Sequence, residues 1–164
     1  MKDNLVLIGM MGSGKSTVGR LLAEKLGRRF VDTDALIEER CGCPIAQLVE
    51  EKGWDFFRDE ELGLSEELAR ERGLVIACGG GLPMRPDCIG SLKFSGTVLW
   101  LCRDPEETYD QLDRSHRPLA QQGKAAFLKL YAQREPVYRE WAEAVIPVGP
   151  TPQDTLNAIL EVLE

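Results

Sequence analysis

The sequence predicts an α/β protein: a five-stranded, mostly parallel sheet with helices on both faces. Two observations carry this. Short runs of Val, Ile and Leu alternate with amphipathic, helix-like segments along all 164 residues, the β-α-β-α order that builds a parallel sheet. Several of those runs are almost continuously apolar, as strands covered on both sides are.

Taken in order, the first strand is expected at residues 5–9, where Leu5-Val6-Leu7-Ile8 runs into Gly9. The helix that follows sets Val18, Leu21, Leu22 and Leu26 on one stripe and stops at Gly27, a residue suited to a left-handed C-cap. A second strand is expected at 29–32, and Asp32 or Asp34 can cap a helix starting at Ala35-Leu36-Ile37. Pro44 opens a further helix with Ile45, Leu48 and Val49 on one face. A longer helix is expected over 55–72, strands at 74–78 and 97–101, and a helix over 123–141. A strand at 144–148 and a helix after Pro152 complete the pattern. There is no repeat, low-complexity tract or flexible linker, so residues 1–164 read as one domain.

Composition narrows the function classes. Twenty Lys and Arg against twenty-seven Asp and Glu leave a net charge of −7. That lacks the basic footprint of a partner for nucleic acid or anionic membrane. No apolar run nears the roughly 20 residues of a membrane span. A chain this long buries roughly 68–70% of its unfolded surface, enough for a core without disulfides. Cys41, Cys43, Cys78, Cys88 and Cys102 are odd in number, and three lie in or beside apolar runs, so they read as buried or incidental thiols. Cys41-Gly-Cys43 has no second pair to complete a zinc site, and His116 is the sole histidine. The apolar stretch before Gly9 is too short for a secretory signal, so a cytoplasmic protein is expected; a monomer is expected as well.

In a parallel sheet all strand C-termini share one edge, and ligands bind there. The residues after the strands are Gly9 to Ser16, Asp32-Thr33-Asp34, Gly79-Gly80-Gly81, Arg103-Asp104 and Gly149-Pro150. The first of these, Gly9-Met10-Met11-Gly12-Ser13-Gly14-Lys15-Ser16, matches G-x-x-x-x-G-K-[ST] between a strand and a helix. The backbone N–H groups of Gly12, Ser13, Gly14, Lys15, Ser16 and Thr17 are candidates to cradle the phosphates of ATP. Lys15 is placed to reach the β- and γ-phosphates, and Ser16 to ligate Mg²⁺. A P-loop alone leaves kinase, switch GTPase and motor open. Asp87-Cys88-Ile89-Gly90 has the form D-x-x-G but follows no apolar strand, and N-K-x-D is absent, which argues against a GTPase. Two carboxylates at the second strand end, Asp32 and Asp34, suit a kinase: one can hold the metal, and the other can take the proton of an attacking hydroxyl.

With these motifs in place, the chain resembles the shikimate kinase family. The likeness runs through the P-loop, Asp32-Thr33-Asp34, Phe57-Arg58 followed by Glu60-Glu61, Gly79-Gly80-Gly81, Arg117-Pro118-Leu119, and Arg134-Glu135-Pro136-Val137-Tyr138. It implies the P-loop kinase fold of the nucleoside monophosphate kinase type, and transfer of the ATP γ-phosphoryl group to the 3-hydroxyl of shikimate. Shikimate is a ring with one carboxylate and several hydroxyls. The resemblance makes Arg58 and Arg134 its carboxylate clamp, Asp34 the base, and Gly79, Gly80 and Gly81 the surface against the ring. Arginine's planar fork suits a carboxylate better than lysine does. Residues 32–60 would then be the substrate-binding region and 114–123 a lid that excludes water. Arg117 would reach the phosphates, Arg114 would lie against adenine, and Gln153 with Gly149 and Pro150 would form the adenine wall. Ala120 stands where the family has the second leucine of R-P-L-L. Gluconate kinase and nucleoside monophosphate kinases are the enzymatic alternatives, and a nucleotide-binding sensor the non-enzymatic one.

Overall fold

The computed structural model describes residues 3–112 and 120–164. Five parallel strands form one sheet: β1 (Asn4–Ile8), β2 (Arg29–Asp32), β3 (Leu74–Ala77), β4 (Gly96–Cys102) and β5 (Ala144–Pro147). Their spatial order is β2-β3-β1-β4-β5. In the central register Val6 stands level with Ile76 on one side and Val98 on the other. Each strand lies within a residue of the span expected for it.

The helices are α1 (Lys15–Leu26), α2 (Thr33–Cys41), α3 (Ile45–Ala69), α4 (Pro86–Ser95), α5 (Pro105–Gln111), α6 (Lys124–Trp141) and α7 (Pro152–Leu163). Strand alternation sorts the core into two layers. Leu5 and Leu7 face Val18 and Leu22 of α1 and Leu156 and Ile159 of α7. Val6 and Ile8 face the other way, into a larger cluster with Leu64, Leu68, Leu92, Phe127 and Tyr138 from α3, α4 and α6. β1 and β3 are wholly buried, which is why their sequences are unbroken apolar runs.

Two elements, α4 and α5, depart from expectation. The two helices foreseen from Pro44 and over 55–72 are both present as the two halves of α3, which meet at a non-helical Gly53. There φ is 86° and ψ 166°, a region open essentially to glycine alone. The break lets the second half of α3 take its own direction while the chain remains continuous. Asp87-Cys88-Ile89-Gly90 lies inside α4, with Cys88 and Ile89 fully buried, so it is core helix. α5, not foreseen at all, starts on an Asp104 cap whose Oδ2 accepts from the Glu107 N–H.

Because every strand runs the same way, Ile8, Asp32, Ala77, Cys102 and Pro147 end at a single edge. The expected site segments all leave from it.

Candidate active site

The donor side is built from β1 and α1. Gly12 and Gly14 take φ of 80° and 92°, the turn geometry that curls the loop back on itself. α1 then begins at Lys15 with no side-chain cap and no acid in its first turn. Its N-terminal N–H groups and dipole therefore favour an anion. Lys15 is only 8% exposed, and its Nζ donates to the carbonyls of Gly9 (2.7 Å) and Met10 (2.8 Å). Those bonds hold the ammonium over the loop. Ser13 is buried and Thr17 exposed.

Asp32 ends β2 with both oxygens engaged. Oδ1 accepts the Ala35 N–H at 3.0 Å and caps α2, while Oδ2 accepts from the Ser16 hydroxyl. The two candidate metal ligands thus meet at one point beside the P-loop. A hydroxyl and a carboxylate are hard oxygen donors of the kind Mg²⁺ takes alongside phosphate oxygens, so the residues present fit the ion.

On the acceptor side, Asp34 occupies the first turn of α2, two residues beyond the cap. The Thr33 hydroxyl accepts the Gly79 N–H at 2.9 Å, which ties the β3 end to α2. A Cβ on Gly79 would overlap Asp34 Oδ1 and stand 2.8 Å from its Cγ. On Gly80 it would lie 3.1 Å from one Arg134 guanidinium nitrogen, and on Gly81 3.2 Å from the other. The three glycines are therefore a strip of bare backbone with a carboxylate over one end and a guanidinium over the other. Tyr138 secures the strip: its hydroxyl donates to the Gly80 carbonyl at 2.6 Å, one helical turn after Arg134.

Arg58 is exposed on α3, three residues before Glu61, which is 4% exposed. Burial, and after it the nearby Asp34 charge, pushes the Glu61 carboxyl up to about 7 against the opposing pull of Arg85, Arg58 and Arg134. One buried acid therefore senses charges from α2, α3, α6 and the turn before α4. That convergence is the electrostatic signature of a site.

Against the β4–β5 edge lies a cavity of about 430 Å³ lined by Cys102, Arg103, Asp104, Glu107, Val148, Gly149 and Pro150. Gly149 and Pro150, two of the residues expected to wall the adenine, line this cavity. Gln153 is outside that lining, and its Nε2 donates to Asn157 at 3.1 Å, one turn along α7. Arg114, His116 and Arg117 lie outside the described residues, as does most of the expected lid. Of the nearby aromatics, Phe57 is buried in the core and Trp54 is exposed, their rings meeting edge-on at 6.0 Å.

Sequence reasoning assigned no role to Thr33, Glu61, Arg85, Arg103 or Tyr138. Helical spacing carried a signal for two of them. Glu61 falls three residues after Arg58 and Tyr138 four after Arg134, so each shares a face with its arginine.

A phosphate cradle, an adjacent hydroxyl–carboxylate pair, and an acid and a guanidinium facing each other over bare backbone define a P-loop kinase of small metabolites. The model of the family described as shikimate kinase matches residues 11–164. A shikimate kinase of Dehalococcoides mccartyi is 41% identical over 148 residues, covering 89% of this chain and 84% of its own. A solved structure of shikimate kinase from Acinetobacter baumannii in complex with shikimate has a TM-score of 0.93 at 35% identity, covering 99% of this chain and 93% of that one. A gluconokinase from Sinorhizobium meliloti, at TM-score 0.57 and 18% identity over 99% of this chain and 91% of its own, shares the fold alone. The chain belongs to the shikimate kinase family, and the family's ATP and Mg²⁺ requirement is its own.

Proposed function

We propose that the chain transfers the γ-phosphoryl group of ATP to the 3-hydroxyl of shikimate, with Asp34 as base and Arg58 and Arg134 as the carboxylate clamp. The observation that carries this reading is the glycine strip between Asp34 and Arg134. An anionic ring lying on it would set its carboxylate toward a guanidinium and its hydroxyls toward a carboxylate. Asp34 orients the attacking hydroxyl and takes its proton as the new O–P bond forms and the bond to the ADP oxygen breaks. Lys15 exchanges its carbonyl acceptors for phosphate oxygens as negative charge builds on them. Ser16 and Asp32 would hold Mg²⁺, which would supply charge neutralisation at the phosphates. The backbone N–H groups of Gly12, Ser13, Gly14, Lys15, Ser16 and Thr17 bind phosphate. Arg117 is proposed to add charge there, with Gln153 beside the base.

Residues 1–164 act as one domain. Among the described residues no helix is long and apolar enough to cross a membrane, in keeping with a cytoplasmic enzyme.

A coupled ADP-release assay across shikimate, gluconate and nucleoside monophosphates tests the assignment. Turnover with shikimate alone supports it. Turnover with gluconate and none with shikimate overturns it.

A further inference from the structure

We propose that Arg103 is a positioning residue for the phosphate cradle, holding the Gly12 peptide of the P-loop in the orientation that binds anions. Arg103 follows the last residue of β4, and its side chain is only 20% exposed. One guanidinium nitrogen donates to the Gly12 carbonyl at 2.9 Å, and the other bonds the Gln111 side chain at the end of α5. The planar fork therefore spans the P-loop and α5. Its third partner, Glu107 at 3.7 Å, is 58% exposed, and such a pair contributes little.

The importance of the Gly12 contact comes from the loop's own chemistry. Gly12 sits at φ 80° without a Cβ, so its following peptide can rotate at low cost. The Ser13 N–H of that peptide closes a turn onto the Met10 carbonyl at 3.2 Å, a long and weak bond. A rotated peptide would turn the Gly12 carbonyl oxygen, the negative end of its dipole, toward the phosphates. A charged donor on that oxygen resists the rotation, because ionised hydrogen bonds are the strong ones. α5 limits the loop sterically from the same side. A Cβ at Gly12 would stand 2.8 Å from Leu112 Cδ1 and 3.0 Å from Thr108 Cγ2. Arg103 thus supplies the electrostatic half of a brace whose steric half is α5.

The proposal rests only on the nucleotide half of the functional reading, since ADP and tripolyphosphate are measured without acceptor. Arg103→Met keeps the apolar stem and removes the donors; Arg103→Lys keeps one charged donor. For Arg103→Met the dissociation constants of Mg-ADP and of Mg-tripolyphosphate, by calorimetry, are expected to rise together by about tenfold, the usual consequence of losing a charge-assisted bond. The KM for shikimate and the thermal midpoint should stay near the parent values, and Arg103→Lys should recover most of the loss. Unchanged affinity in Arg103→Met overturns the proposal. So does weakened ADP with unchanged tripolyphosphate, which would place Arg103 on the base. A parallel loss of shikimate affinity and stability, or no recovery in Arg103→Lys, overturns it as well.

Discussion

Gly79→Ala probes the acceptor site with a single methyl group. The φ of Gly79 is not in the left-handed region, so alanine brings no backbone strain of that kind. What it brings is overlap with the Asp34 carboxylate, whose Cγ and Oδ2 are both 2.8 Å from the new Cβ position. Ordinary contact requires the carboxylate to withdraw by about 1 Å, and a misplacement of that size costs on the order of 10²-fold in rate. Gly80→Ala and Gly81→Ala meet Arg134 at 3.1 and 3.2 Å, where a shift of a few tenths of an ångström in a long side chain is enough. Those two should raise the KM for shikimate severalfold and leave kcat near its parent value. The ADP-release assay gives both constants, calorimetry gives Mg-ADP affinity, and a thermal melt checks folding. A Gly79→Ala enzyme that is fully folded and turns over at the parent rate would refute the placement of Asp34 as base. Loss of ADP affinity in step with turnover would show the effect to be general.

Further outcomes follow from the same geometry. Lys15→Ala should lower kcat by at least ~10²–10³, as loss of a transition-state charge partner does; near-normal turnover would remove Lys15 from the chemistry. Arg58→Ala and Arg134→Ala should weaken shikimate binding while Mg-ADP binding survives, and equal loss of both ligands in calorimetry would mean misfolding. Glu61→Gln removes a carboxyl raised from 4.5 to about 7. Between those values the native parent binds more protons than the unfolded chain, so its stability falls as pH rises and levels off above 7. Urea unfolding from pH 4.5 to 8 should show the parent losing up to about 3 kcal/mol relative to Glu61→Gln; a difference that does not vary with pH would contradict the buried acid.

The sheet and the donor side were readable because their signals are local. A continuous apolar run, a G-x-x-x-x-G-K-S loop and an amphipathic stripe each sit within about a dozen neighbouring residues. Parallel topology then turned the order of the chain into a map of the ligand edge. Asp32 bears out the capping reading through one oxygen, while its other oxygen meets the Ser16 hydroxyl. What escaped is contact between elements remote in sequence. The Arg103–Gly12 bond spans 91 positions and the Tyr138–Gly80 bond 58, and no local pattern says that these ends pair. α4 and α5 were missed because each is short. The apolar residues of α4, Cys88, Ile89 and Leu92, pack into the core behind a polar-looking Pro86-Asp87 start, and α5 is almost entirely polar.

The shared carboxylate of Asp32 has a thermodynamic corollary. The group that faces Ser16, its proposed partner in holding Mg²⁺, also fixes the first turn of α2, and that turn carries Asp34. Whatever steadies the Asp32 oxygens on the donor side therefore narrows the positions open to Asp34, the proposed base. Restriction contributed by one ligand need not be supplied again by the other, so each should bind more tightly in the other's presence, and by the same factor in both directions.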